Sequence, residues 1–413
     1  MDPYAARKST VTLRIIHSNG APVKHSAVHA ELTNHEFLFG TGAFFTLPLT
    51  DPSTPPEKLA FLEKVFSEWK QTFNYATLPF YLGRYEPQPD RTRQEETLRA
   101  AKLLHGEGKA LKGHPLCWHT STAPWLADMT DEQVMERSLY RIRREINAFR
   151  NDIRFWDVIN EAVIMPEFIN EPAGAPKMNA ITRLCRKTGR VPLIKAVFDE
   201  AHAADPEAKL LINDFNTSPR YSDLVRDCLD AGVPIGAIGI QSHQHQGFWG
   251  MEKLQEVTER FSSFGLPIHF TENSFVSGHL MPREIIDLND YVVSDWPSTE
   301  EGEARQAENL ITMMDYLFRQ PLVEGFTTWS FEDHQWLKAP SGLIRSDGSP
   351  KPALLQLREK LKSSWSTIAQ LVTDENGCCS LEGFRGEYRL EVNGSTHSLR
   401  LTKEEKEIVI RIQ

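Results

Sequence analysis

Short apolar runs alternate along most of the chain with longer stretches whose apolar positions recur every three to four residues. From residue 36 to about 360 one unit returns: a strand-like segment, a loop, then a helical segment. The strand-like segments are EFLFGTGAF (36–44), TFNYATL (72–78), KALKGHPLCWH (109–119), RFWDVINE (154–161), KLLINDF (209–215), GAIGIQSH (236–243), PIHFTEN (267–273) and EGFTTWSF (324–331). Several are apolar almost without a break, as strands covered on both faces of a parallel sheet are. The helical stretches carry their own start signals. Pro55-Pro56 suits a first turn, Thr130-Asp-Glu-Gln133 is a capping box, and Glu300, Glu301 and Glu303 favour a helix N-terminus. Eight repeats of strand then helix predict an α/β fold of the (β/α)8 TIM barrel type; a doubly wound sheet shares the rhythm.

The two ends break it. Residues 10–33 and 366–413 alternate with period two around Asn-Gly turns at 19–20, 376–377 and 393–394. Neither end has enough strands to bury a core alone. Joined, they predict a small accessory β-sandwich built from residues 1–35 and 366–413, with the barrel of residues 36–365 inserted in its middle. Read consecutively, the two ends resemble the transthyretin-like sandwich. The aromatic residues of its C-terminal part, Phe384, Tyr388 and the adjoining Trp365, are few and form no evident sugar platform, so its expected role is structural.

Between strand and helix, two connections are long: Met165–Pro192 after the fourth strand and Asn273–Thr299 after the seventh. Both belong to the side where barrel active sites lie.

Charge narrows the partners. With 46 Lys+Arg against 56 Asp+Glu, the net charge of −10 predicts no nucleic-acid partner and no anionic membrane surface. A carbohydrate substrate is compatible with it. No apolar run reaches transmembrane length and no signal-peptide core opens the 413-residue sequence, so the expected location is cytoplasmic, or secreted if a leader has been removed. The five cysteines have no metal-type spacing and read as reduced thiols. The oligomeric state is left open.

Two carboxylates end apolar strands: Glu161 the fourth and Glu272 the seventh. An unpartnered carboxylate there would be costly. Strands four and seven face one cavity, and two facing carboxyl groups are what glycoside hydrolysis uses. Asn160 precedes Glu161 and suits a sugar 2-hydroxyl. Gln241 and His243 alternate along the sixth strand and so point the same way, Gln241 towards Glu161 or the sugar and His243 towards Glu272. His114 and Trp118 end the third strand. Trp329 ends the eighth, and Trp329, Trp336 and Trp118 offer faces for sugar CH surfaces.

These segments, KGHPLCWHTSTAPWL (112–126), WDVINEAV (156–163), LLINDFN (210–216), IGIQSH (238–243), IHFTEN (268–273), GFTTWSFEDHQWL (325–337) and GLIRSDGSPKPAL (342–354), resemble glycoside hydrolase family 10, the retaining endo-β-1,4-xylanases. The resemblance implies Glu161 as acid/base, Glu272 as nucleophile, and Asn160, His114, Trp118, Gln241, His243, Trp329 and Trp336 as sugar contacts. It implies no cofactor and no metal. The family usually reads FNxxTxENxMKW after the second strand. Here Pro79-Phe80 replaces Glu-Asn, Gly83 the Lys and Arg84 the Trp, removing residues that hold two sugars on the non-reducing side. Arg84, Tyr81, Tyr85 and Glu86 are candidates for a replacement wall. Ser121 replaces a Gln, and T-E-N-S stands for T-E-L-D. Retention implies carboxyl groups about 5–5.5 Å apart.

Three other functions fit parts of the pattern. One is a retaining glycosidase acting on another β-glycan or on short oligosaccharides. Another is a non-catalytic glycan-binding barrel. The last is a metal-dependent barrel hydrolase using His243, His245, His114 and His119, although the bridging Lys and metal Asp of such sites are not evident.

Overall fold

The computed structural model describes residues 2–168, 179–286 and 290–412. Two strands come first, β1 (Lys8–His17) and β2 (Ala27–His35). Eight more follow, each on one of the expected apolar runs: β3 (Leu38–Gly42), β4 (Tyr75–Pro79), β5 (Ala110–His114), β6 (Phe155–Asn160), β7 (Lys209–Asp214), β8 (Ala237–His243), β9 (Ile268–Ser274) and β10 (Val323–Thr328). They close a parallel barrel in chain order, with β10 paired to β3. This is the (β/α)8 TIM barrel. Most of the strands are shorter than the apolar runs. β5 stops at His114, so Trp118 lies on the loop beyond it, and β10 stops one residue before Trp329.

Helices between the strands bury one face each against the barrel. Helix Asp131–Phe149 starts at the capping box, where Gln133 N–H donates to the Thr130 hydroxyl at 3.3 Å and the Gln133 side chain accepts from Thr130 N–H at 2.9 Å. Helix Glu300–Phe318 is capped by Thr299, which accepts from Gly302 N–H at 3.0 Å. The stretch Met165–Pro192 is not all loop. Residues Ala180–Thr188 form a helix under an Asn179 cap, although their run RLCRKT is polar; Ala180, Ile181, Leu184 and Cys185 make its buried stripe. Residues 169–178 of that connection and 287–289 of Asn273–Thr299 lie outside the described residues.

Five further strands complete the chain: β11 (Ile368–Val372), β12 (Cys378–Phe384), β13 (Gly386–Val392), β14 (Ser395–Leu401) and β15 (Glu407–Ile412). They mix with β1 and β2 in two sheets, of order β12-β1-β15 and β11-β2-β13-β14. Val11 pairs with Leu381, and Ala30 with Leu390. Only one of the three Asn-Gly turns joins two strands of the same sheet, although after the turn at 19–20 residues Ala21–Val23 fold back on the end of β1. At Asn393-Gly394 both residues have positive φ, +50° and +79°, and join β13 to β14. The turns at 19–20 and 376–377 instead carry the chain from one sheet to the other. Inward residues Val11, Leu13, Ile15, Val28, Ala30, Leu381, Tyr388 and Leu390 fill the space between the sheets.

These sheets meet the barrel at the N-terminal ends of its strands. Arg7, 6% exposed, donates to the carbonyls of Phe318, Gln320 and Val323, which end helix Glu300–Phe318 and begin β10. Burial lowers its guanidinium to about 10. Phe37, Phe39, Phe318, Trp365 and Phe384 pack around it in ring contacts of 4.8–5.7 Å. The opposite face, where the strands end, is left open for chemistry. Among the described residues no helix is long and apolar enough to cross a membrane. All five cysteines are free.

Candidate active site

The C-terminal ends of β5, β6, β7, β8 and β9 bring the two expected carboxylates into one hydrogen-bonded chain. Gln241 Nε2 donates to Glu161 Oε1 at 3.1 Å and to Asn160 Oδ1 at 3.0 Å. Asn213 Nδ2 donates to the same Asn160 oxygen at 2.8 Å and to Glu272 Oε1 at 2.9 Å. Gln241 and Glu272 are register partners on adjacent strands. Glu161 thus connects to Glu272 through three amides, all buried.

The carboxylates differ in their surroundings. Glu161 is partly exposed on the cleft floor and has φ of +56°, a left-handed conformation rare for a side-chain-bearing residue. Its Oε2 accepts from Trp118 Nε1 at 2.8 Å. Desolvation, followed by the negative charge of Glu272, raises its pKa to about 8 against these donors. Glu272 is 4% exposed. Burial alone would raise it, but His114, then His243, hold it below the usual carboxylate range. His243 Nε2 lies 3.2 Å from Glu272 Oε2, and its Nδ1 lies 2.9 Å from the Ser274 hydroxyl. His114 Nε2 lies 3.8 Å from Glu272 Oε1, and its Nδ1 lies 2.7 Å from Asp157 Oδ2. Asp157 in turn pairs with Lys112 at 2.7 Å in the barrel interior.

Aromatic rings line the cavity. Trp336 stacks on His243 at 4.5 Å, 7° from parallel. Trp329, 7% exposed, meets His114 edge to face at 5.0 Å. Trp118 stands over Glu161, and Tyr81 lies 5.8 Å from Trp118 and 5.7 Å from His114.

Nine of the ten expected residues therefore converge. Arg84 does not: it is exposed on the turn Leu82–Tyr85 and makes no side-chain hydrogen bond or ion pair among the described residues. Tyr85 and Glu86 turn away from the cavity. Tyr85 bonds Glu145, while Glu86 takes Arg137 at 3.2 Å and Arg144 at 2.5 Å. Of the replacement-wall candidates only Tyr81 reaches the cleft. Sequence reasoning missed Asn213, Asp157, Lys112 and Ser274. Asn213 and Lys112 carried one signal: a polar residue inside an apolar strand needs a partner. His119 and His245, the remaining histidines of the metal-site alternative, are lowered by burial to about 3 and about 4, and His119 packs against Phe168 at 4.5 Å. The rings of His114 and His243 are already committed to carboxylates and, for His243, to Ser274.

The family model described as glycosyl hydrolase family 10 matches residues 82–360. The chain belongs to glycosyl hydrolase family 10. An endo-1,4-beta-xylanase from Geobacillus stearothermophilus is 27% identical over 55% of this chain and 68% of its own length. The anti-sigma-I factor RsgI6 of Acetivibrio thermocellus is 23% identical over 94% of this chain, and the match spans 45% of that protein's length. In fold, the family 10 structure from Paenibacillus barcinonensis superposes with a TM-score of 0.62 at 22% identity, covering 79% of this chain and 96% of its own. The family model begins after β4, at residue 82, and the likeness in fold takes in the larger share of the chain.

Proposed function

We propose that the protein is a retaining glycosidase that cleaves β-linked glycans, with Glu161 as acid/base and Glu272 as nucleophile. One observation carries this: two carboxyl groups in one cleft are pushed apart in pKa, Glu161 up to about 8 and Glu272 below its ordinary value. Glu272 attacks the anomeric carbon, the glycosidic C–O bond breaks, and the Glu161 proton passes to the leaving oxygen. Formation of the glycosyl ester removes the charge on Glu272, a cause of the raised Glu161 value, so Glu161 becomes a stronger acid and remains ionised. It then takes a proton from water, whose oxygen attacks the same carbon and releases Glu272. Asn160 fits the sugar 2-hydroxyl: its Oδ1 already accepts two bonds, leaving Nδ2 as the donor. The names of the relatives, endo-1,4-beta-xylanases among them, favour xylan or xylo-oligosaccharides as substrate. The altered turn at Tyr81–Arg84 favours a second reading, short oligosaccharides or another β-glycan, over long xylan. The two end segments, residues 1–35 and 366–413, are read as one structural domain of transthyretin-like type.

Aryl β-xylosides, β-glucosides and β-galactosides, screened beside xylan and mixed glucans, test the reading. Hydrolysis followed by proton NMR must show the β-anomer first; an α-anomer first overturns retention. E272Q is expected to lose turnover while keeping its circular dichroism and unfolding midpoint. Wild-type rates in that variant overturn the assignment of Glu272.

A further inference from the structure

Resting on the glycosidase reading, the geometry of the cleft speaks to how a chain enters it. Glu161 follows β6, the fourth barrel strand, so a leaving group protonated by Glu161 lies on that side. The sugar on the other side of the cleaved bond then points to the ends of β10, β3 and β4, across the closed barrel. Each of these three strands contributes one ring there: Trp329, Phe44 and Tyr81. Phe44 meets Trp329 at 5.6 Å and Tyr81 at 6.1 Å, both edge to face at 85°. Rings at such separations touch, and a sugar ring is no thinner than an aromatic one, so none passes between them.

The backbone behind the rings is equally tight. A Cβ on Gly42 would stand 2.4 Å from the Trp329 carbonyl oxygen, and one on Gly83 would stand 2.8 Å from that of Thr122. Gly83 N–H donates to the Ser121 carbonyl at 2.7 Å, fastening the turn that carries Tyr81 to the loop that carries Trp118. Gly83 is where a lysine of the family's sugar-holding motif is missing, and this backbone has no room for one. The donors that reach the cavity, Asn160, Gln241, His114 and His243, all stand by the carboxylates, on the near side of the wall.

We propose that the enzyme is exo-acting: Phe44, Tyr81 and Trp329 close the non-reducing side into a pocket for one terminal sugar. Polymers are then attacked only at chain ends, and short oligosaccharides, rich in ends, are the preferred substrate class. Tyr81 and Phe44 are its specificity-determining residues.

The test uses the full chain and a reducing-end-labelled β-1,4-linked hexasaccharide of the sugar whose aryl glycoside is cleaved. A second sample carries a methyl group on its non-reducing terminal 4-hydroxyl. The expected first labelled product is the pentasaccharide alone. The methylated chain is cleaved about 10- to 100-fold more slowly, the penalty for forcing a methyl group into a closed pocket. Y81A and F44A, each opening the wall separately, are expected to release disaccharide and shorter labelled products as well. A ladder of labelled products from the wild type, or equal cleavage of the methylated chain, overturns the inference and leaves the glycosidase reading standing. No hydrolysis of any aryl glycoside by folded protein overturns both.

Discussion

At Asn160 one amide oxygen takes two hydrogen bonds, which in the proposed reaction leaves Nδ2 as the end that donates to the sugar. The same economy runs through the residues around it. Trp118 both lines the cleft and donates to Glu161; its hydrogen bond lowers the pKa of a carboxyl group that burial raises. In the proposed reaction Glu161 must enter protonated and Glu272 ionised. kcat/KM is therefore expected to fall as pH rises through about 8 and to fall again at a pH below the ordinary carboxylate range. W118F removes a donor to the ionised form, so its alkaline limb is expected to move upward. A limb that stays in place, in pH profiles on an aryl glycoside, shows that this hydrogen bond does not set the Glu161 proton. Of this partnering, alternation along the sixth barrel strand made Gln241 with Glu161 and His243 with Glu272 legible in the sequence, and the rest was not. Asn213 looks like any strand residue, and only the closure of the barrel puts it between Asn160 and Glu272. Phe44 reads as a core residue, and nothing in its local sequence shows that it touches a ring 37 positions on.

Elements were more legible than the residues that join them, because periodicity is a local property and pairing is not. All eight barrel strands fall on apolar runs. Helix Asp131–Phe149 starts where its capping box says. T130A is expected to cost about 1 kcal/mol, read as a lower urea midpoint with unchanged slope. An unchanged midpoint means that the tertiary packing of the helix alone fixes its start. The Asn-Gly turns show the opposite case. The dipeptide dictates a reversal, but whether the reversed strand pairs with its predecessor depends on what else is available. β1 pairs with β12 and β15, both from the other end of the chain, leaving β2 to the facing sheet. Helix Ala180–Thr188 escaped notice because its buried stripe is short and its remaining positions are threonines, arginines and a lysine.

At the scale of the whole molecule, one arginine joins the two halves. The Arg7 guanidinium donates to three carbonyls at the base of the barrel, of which that of Gln320 also accepts from Val323 N–H at 3.2 Å. R7A is expected to lose about 2–3 kcal/mol of stability, seen in urea unfolding, because buried acceptors are left unpaired. Initial rates on an aryl glycoside well below the midpoint are expected to stay near wild type, since Arg7 lies at the pole opposite the carboxylates. Retained stability assigns the junction to its aromatic packing alone. The parallel pairing of β1 with β15 sets a further property of the molecule. Ile412 stands beside His17, at the end of β1 far from Arg7, and ten residues of strand span roughly 30 Å. Whatever is fused or tethered after Ile412 therefore leaves from the pole remote from the cleft. A surface holding the protein by that end presents its mouth outward, whereas attachment just before Ala5 starts at the waist, between barrel and sheets.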